Sequence, residues 1–313
     1  MVYYQIFGFL ISSVIMVKAG GQAIKALTAI GKNLDIGHFI LSFFFVGMVS
    51  ALPEGFVASI SAFRGVPHLG FGTLVGSVIA DLSLVIGLVA LSAGRTKITK
   101  GFTYELWLFA LMALLLAFGI DGTISRTDGT ILIGGCFLFF YTLLQKNHIV
   151  EKLVHSDKRH LIKQLVIFAV SALIVLASAN YVVEFSKGIA LEFGLPLVVV
   201  GLIIIALATS LPETVFAITA ARQKMADLAI GELFGVIIID GTLLVGIVAL
   251  IHPITLPAAE LVKIAVFLLT AIALATYFIR RGRILTWRDG LFMVFFYILF
   301  VITELALVKT IPT

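Results

Sequence analysis

The chain has 313 residues, of which 61% are hydrophobic and 12% charged, with a mean hydropathy of +1.16 and a formal net charge of +5. Soluble domains carry about a quarter charged residues, so this composition belongs to a polytopic membrane protein and not to a soluble domain. The lone Cys136, in "LIGGCFLFF", has no partner, which removes a disulfide and a cysteine metal cluster and leaves a small buried residue.

About 20 apolar residues cross a bilayer. Ten such runs are expected, at 4–24, 38–63, 70–94, 102–120, 128–146, 162–186, 194–221, 228–252, 257–279 and 288–310. The first, "MVYYQIFGFLISSVIMVK", has no basic residue ahead of its apolar stretch and no small-residue cleavage site, and reads as a retained helix. The second contains "VSALPEGFVASISAF", a proline and a glutamate side by side where lipid tolerates neither well. The third carries Ser77 and Asp81 in "VGSVIADLS". After the fifth comes "KNHIVEKLVHSDKRH", read as a solvated connector in preference to a histidine metal tract. The seventh holds a second copy of the broken motif, "TSLPETVFAITAA", and the eighth an acid, Asp240, in "FGVIIIDGT".

Alternate connections fall on one side of a ten-span protein. That side holds sixteen of the 22 Lys and Arg residues and the other holds five, with Lys18 inside the first span. The basic excess therefore reports orientation and not a nucleic-acid partner: both termini are expected outside and the central connector in the cytoplasm. His68, His252 and the other histidines are read as loop residues without metal-ligand spacing.

A shift of 159 residues lays 50–91 over 209–250 without a gap, with 16 identities in 42 positions that include Pro53, Glu54, Gly72, Gly76 and Asp81. Each copy sits in a five-helix unit, and an odd number turns the second unit over in the membrane. The expected fold is an all-α integral membrane protein with ten transmembrane helices as two inverted five-helix repeats. Its domains are 1–146 with a first repeat core at about 38–94, a connector at 147–161, and 162–313 with a second core at about 194–252.

Proline has no amide hydrogen and clashes with the carbonyl four residues back, so Pro53 is expected to free the Val49 carbonyl and Pro212 that of Ala208. Lipid cannot satisfy such oxygens, so broken backbone belongs beside protein or a polar cavity. Ser50 and Glu54 share a helix face at i, i+4, as do Thr209 and Glu213, and Ser77 and Asp81. Small-residue rows at Gly72, Gly76, Gly231 and Gly235 let helices approach closely, which is expected to bring Asp81 beside Glu54 and Asp240 beside Glu213. Four such acids cannot all stay ionised without cations, because burial and mutual repulsion both oppose the charged form. All-oxygen ligation suits calcium better than magnesium, and no midplane cysteine or histidine speaks for zinc or copper.

At these residues the sequence resembles the calcium/cation antiporter superfamily, in particular its sodium/calcium exchanger branch. Members carry two inverted repeats with a GTSLPE-like core followed by a GNxxGSNxxN/D-like segment. Here these read "GMVSALPE" with "GTLVGSVIAD" and "ALATSLPE" with "GELFGVIIID". The resemblance implies a non-enzymatic antiporter whose metal site uses Glu54, Glu213, Ser50, Thr209, Asp81, Asp240, Ser77 and Ser210. Glu54 and Glu213 would be the central calcium ligands, helped by backbone at Ser50 and Thr209. Ser77 would help form a flanking sodium site, with carbonyls near Gly47 as partners. Calcium would leave the cell in exchange for sodium by alternating access, with no resident cofactor and the lipid bilayer and inorganic cations as the only partners implied.

The sequence departs from that pattern in places. Asp81 stands where relatives usually have Asn, Ala51 replaces a Ser, and Thr73 and Glu232 replace Asn. Val236 replaces a Ser that supplies a sodium ligand. These keep a calcium/proton antiporter open as the alternative. A passive cation channel and an intramembrane aspartyl protease are weaker readings; the protease requires YD and GxGD motifs where this chain has "IAD" and "IID". Glu232 is read as capping or solvating a helix entrance. Glu105, Asp121, Glu184, Glu192, Glu260 and Glu304 are read as interfacial. The run from Lys18 to Leu34 and its counterpart from Tyr181 to Leu195 are candidates for a moving group.

Overall fold

The structure is a computed structural model that describes residues 2–33, 46–94, 96–97, 105–146, 158–281 and 284–307. The start of the second expected span, part of the fourth, most of the connector, and Leu34, Arg95, Lys100, Lys152 and Lys309 lie outside the described residues.

The described chain is helical, with four two-residue strands. In chain order the helices are α1 (Val2–Asn33), α2 (Gly47–Ser50), α3 (Leu52–Phe63), α4 (Pro67–Ala93), α5 (Glu105–Phe118) and α6 (Arg126–Lys146). They continue as α7 (Lys158–Phe193), α8 (Leu197–Thr209), α9 (Leu211–Arg222), α10 (Ala226–Ile251), α11 (Ala258–Arg280) and α12 (Trp287–Leu307). Seven are long and apolar enough to cross a membrane, or up to eight if α8 and α9, bent by 44° to one another, form one broken span.

The two halves use the same local devices. Ser125 Oγ and Ser125 N–H both donate to Asp128 Oδ2, at 2.6 and 2.8 Å, at the start of α6. Thr286 does the same to Asp289, at 2.7 and 2.9 Å, at the start of α12. Each capping box satisfies amide donors that a helix start leaves open. Gly65 turns α3 into α4 with φ 73°, and Lys224 takes the matching place between α9 and α10 with φ 61°.

Packing crosses between the halves. The end of α4 packs on α12, and the end of α10 packs on α6. The strands repeat the exchange: β1 (Thr96–Lys97) pairs antiparallel with β4 (Ile284–Leu285), and β2 (Thr123–Ile124) with β3 (Ile254–Thr255). Such mutual trading of partners is the packing expected of a duplicated unit. Helices α4 and α10 are the inner pair, with 83% and 72% of their apolar windows buried, against 28–33% for the other long helices. Helices α1 and α7 lie against each other along their lengths on the outside.

The glycine rows act differently from the expectation. A Cβ on Gly72 would lie 2.3 Å from the Val198 carbonyl oxygen, and one on Gly76 would lie 2.3 Å from that of Leu202. A Cβ on Gly47 would meet the Gly235 backbone at 3.1 Å. The small residues thus seat each inner helix on the broken helix of the opposite half, where close backbone approach requires the missing side chain.

Glu260, in the first turn of α11, and Glu304, in the last turn of α12, are buried inside the protein. They are 2% and 0% exposed, and Lys263 Nζ lies 2.9 Å from Glu260 and 2.7 Å from Glu304. The ammonium group between α11 and α12 makes that burial tolerable, because a buried charge stays affordable only when paired. Lys263→Met strands two acids and is expected to lower stability by about 2 kcal/mol, seen as a lower unfolding temperature in detergent, while Lys263→Arg keeps most of it. His68 likewise falls in the first turn of α4 and not in a loop.

Candidate cation-binding site

The helix breaks make the site. Ser50 ends α2, Ala51 carries the break with φ −68° and ψ 0°, and Pro53 and Glu54 open α3. Thr209 ends α8, Ser210 carries the second break with φ −75° and ψ 4°, and Pro212 and Glu213 open α9. Proline is tolerated in a first helical turn, where no intrahelical amide bond is lost. Each glutamate therefore sits in the first turn of a new helix, where the helix dipole favours negative charge. One expectation is corrected here: the Val49 carbonyl is taken up by a backbone N–H at the α2 cap, because the chain tightens at the break.

Asp81 opens a π-helical stretch, Asp81–Val85, and Asp240 lies in another, Ile239–Leu244. A third, Val200–Ile205, precedes the break in α8. The wider i→i+5 turn rotates the following side chains and is found where helices carry function.

Ser50, Glu54, Ser77, Asp81, Thr209, Glu213, Glu232 and Asp240 are all 0% exposed, and Ser210 is 3% exposed. Ser77 Oγ and Ser210 Oγ are hydrogen-bonded at 2.7 Å, and Ser77 Oγ donates to Glu54 Oε1 at 3.5 Å. Thr209 Oγ1 donates to the Ile205 and Ala206 carbonyls at 3.1 and 3.2 Å while bordering Glu54. Ser50 Oγ donates to Glu232 Oε1 at 2.7 Å. Glu54 lies within electrostatic reach of Asp81, Glu213, Glu232 and Asp240.

Glu54 Oε2, Glu232 Oε2 and both oxygens of Asp81, Glu213 and Asp240 have no hydrogen-bond partner among the described residues. No Lys, Arg or His is among the buried described residues. Buried carboxylate oxygens without donors are costly unless a proton or cation meets them. All the donors offered are hard oxygens, the chemistry of calcium, sodium and protons. The acids are neighbours, but among the described residues no group of three or more His, Cys, Asp or Glu side chains is set to hold a metal ion. Coordination would draw on hydroxyls and backbone oxygens as well.

The structure thus brings the eight expected residues into one buried region where the halves meet. Glu232 does not cap or solvate a helix entrance: it is buried in the same region because α2 and α10 touch. Its neighbour at the 159-residue offset, Thr73, is no acid, which hid it from the repeat comparison. The usable signal was its spacing, since Glu232, Val236 and Asp240 recur at i, i+4 and i+8 on one face.

Comparison with known proteins agrees with this duplicated arrangement. The family profile described as "Sodium/calcium exchanger protein" matches residues 4–145 and 163–306. A putative antiporter, CaxA, of Alkalimonas amylolytica is 27% identical over 286 residues, covering 88% of this chain and 90% of that one. The sodium/calcium exchanger MaX1 of Methanosarcina acetivorans is 24% identical over 336 residues, covering 94% of this chain and 96% of that one. A solved structure of the sodium-calcium exchanger NCX_Mj, soaked with 2.5 mM Na+ and 10 mM Sr2+, superimposes with a TM-score of 0.69 at 20% identity, covering 97% of this chain and 99% of that one.

Proposed function

The chain belongs to the sodium/calcium exchanger protein family, and from that premise we propose that it exports calcium in exchange for sodium by alternating access at a midplane site. It is a multi-pass membrane protein of a transporter family. Its ten membrane segments form two inverted five-helix repeats: α1, the α2–α3 pair, α4, α5 and α6 in 1–146, then α7, the α8–α9 pair, α10, α11 and α12 in 162–313. Both termini face outward and the connector at 147–161 faces the cytoplasm.

The observation that carries this reading is the set of buried carboxylate oxygens, drawn from both halves, that have no hydrogen-bond partner and no buried Lys, Arg or His among the described residues. Glu54 and Glu213 hold calcium at the start of their half-helices. Ser50, Thr209, Ser77 and Ser210 add hydroxyl or backbone oxygens, and Asp81 and Asp240 flank them. An empty site carries uncompensated negative charge and does not cross the low-dielectric barrier between its two access states. A second cation must first cover that charge, and this requirement couples the two fluxes. The run from Lys18 to Leu34 and its counterpart from Tyr181 to Leu195 form the group that slides against the rest.

Purified protein in vesicles tests the reading. Calcium uptake driven by an imposed sodium gradient at matched pH supports it. Calcium movement that needs no counter-gradient describes a channel and rejects it. A proton-driven second reading is favoured by Asp81, whose oxygens are both donor-free and which stands where relatives usually have Asn. If Asp81 carries a proton in the cycle, transport depends on pH between mildly acidic and alkaline values, and Asp81→Asn flattens that dependence. An unchanged profile removes Asp81 from the cycle.

A further inference from the structure

Arg281 and Arg288 stand where α11 ends and α12 begins, on the side to which the sequence assigns the basic excess. Both are exposed, and neither makes an ion pair among the described residues. They line one pocket of about 760 Å3, together with Phe278, Ile284, Trp287 and Asp289. Asp289 is the acid in that lining, and its Oδ2 is already taken, accepting from Thr286 N–H and Oγ at 2.9 and 2.7 Å. Arg288 Cζ lies 5.5 Å from the centroid of the Trp287 ring, a cation–π contact that steadies the guanidinium group and leaves its N–H donors free. Helices α11 and α12 are each long and apolar enough to cross a membrane. The pocket, at the end of one and the start of the other, therefore lies at the membrane–water boundary, where tryptophan rings and lipid headgroups sit.

We infer that Arg281 and Arg288 form a binding site for the phosphate group of an anionic phospholipid headgroup, in the pocket between α11 and α12. A guanidinium group is a planar fork of N–H donors that meets phosphate oxygens in pairs, and here two such forks border one cavity. The apolar wall of Phe278, Ile284 and Trp287 suits the glycerol and first methylenes of a lipid, which a hydrated phosphate ion lacks. Any basic surface attracts anionic lipid diffusely. A site differs from that in having a shaped cavity and donors with no competing carboxylate. Inorganic phosphate shares the chemistry of the headgroup and is the alternative source of the ligand. The pocket shares no residue with the buried carboxylate region, so the inference stands apart from the antiport reading.

The test titrates the full chain in detergent with phosphatidylglycerol, and in parallel with phosphatidylcholine. Native mass spectrometry counts the bound lipid, and thermal unfolding follows its effect. Wild-type protein is expected to bind phosphatidylglycerol about ten-fold more tightly than phosphatidylcholine and to unfold at a higher temperature with it. Arg281→Gln combined with Arg288→Gln is expected to weaken phosphatidylglycerol binding about ten-fold and to abolish that rise. The control, Lys163→Gln combined with Arg222→Gln, removes the same charge from exposed positions outside the pocket and is expected to stay within about two-fold of wild type. Equal weakening in the two double variants marks diffuse surface attraction and overturns the inference. Binding by the pocket variant within about two-fold of wild type overturns it too. In a third arm inorganic phosphate replaces the lipid: no stabilisation supports a lipid occupant, and stabilisation equal to that by phosphatidylglycerol overturns it in favour of a soluble phosphate. If the glutamine variant is not monodisperse, Arg281→Lys combined with Arg288→Lys keeps the charge and loses the forks. It is expected to bind at least about three-fold more weakly, and wild-type affinity there overturns the inference equally.

Discussion

Glu54→Gln and Glu213→Gln are each expected to reduce gradient-driven calcium exchange at least about a hundred-fold while the protein still purifies as a folded species. Glutamine keeps the volume of the side chain and one oxygen but removes the charge. Both glutamates are wholly buried in the first turn of a half-helix, and no Lys, Arg or His is buried among the described residues. A dehydrated dication in such surroundings relies on anionic oxygens, and loss of one costs about 3 kcal/mol, roughly a hundred-fold in binding. Either substitution alone suffices, because hydroxyls and carbonyls offer only partial charges. Folding survives because the change removes buried charge that Glu213 holds without a hydrogen-bond partner among the described residues and that Glu54 holds with only Ser77 Oγ as donor. Radiolabelled calcium uptake into vesicles checks the flux, and size-exclusion chromatography checks the fold. Exchange within about three-fold of wild type for either variant would remove that glutamate from the centre.

The second large effect is structural. Gly76→Ala, a single added methyl group, is expected to prevent accumulation of properly folded protein. The new Cβ would lie 2.3 Å from the Leu202 carbonyl oxygen and 2.6 Å from its Cα. These are backbone atoms of α8, in its π-helical stretch Val200–Ile205, and cannot rotate aside. Over-packing in a core commonly costs about 1–3 kcal/mol when side chains can yield, and more is expected here. The matched control is Gly134→Ala on α6, where an added Cβ meets nothing within 4 Å. That change replaces glycine in a helix and should be neutral or stabilising by up to about 1 kcal/mol. Thermal unfolding in detergent separates the two. A Gly76→Ala protein as stable as the control would refute the close seating of α4 on α8.

The two substitutions act on different layers of one design. In the proposed reading Glu54 and Glu213 supply charge to the centre, and the glycines of α4 allow the opposite half to come near enough for that charge to be pooled. Neither layer works alone, since a half-site with one buried acid has no reason to hold a dication. Burial of Glu54 beside hydroxyls from the other half, Thr209 and Ser210, depends on backbone contact that any side chain at Gly72 or Gly76 would prevent.

Much of this protein was legible in its residues. Apolar runs of about 20 residues are a one-dimensional property, so membrane class follows from counting. The 159-residue repeat exposed the paired Pro-Glu motifs, because chance apolar composition repeats leucine and valine but not proline beside an acid. That is why a helix break beside each of Pro53 and Pro212, and the acids Glu54 and Glu213, could be named from sequence, while the structure places the breaks at Ala51 and Ser210.

What tertiary structure alone decided is which surfaces meet. Sequence spacing gives the face of a helix and not its neighbour, so the glycine rows were assigned to contacts within each half when they serve contacts between halves. The same blindness put Glu232 at a helix entrance, because hydropathy cannot register a serine that approaches from a distant helix. The π-helical stretches at Asp81 and Asp240 were also invisible, since the turn widens in response to packing and not to any residue's own preference.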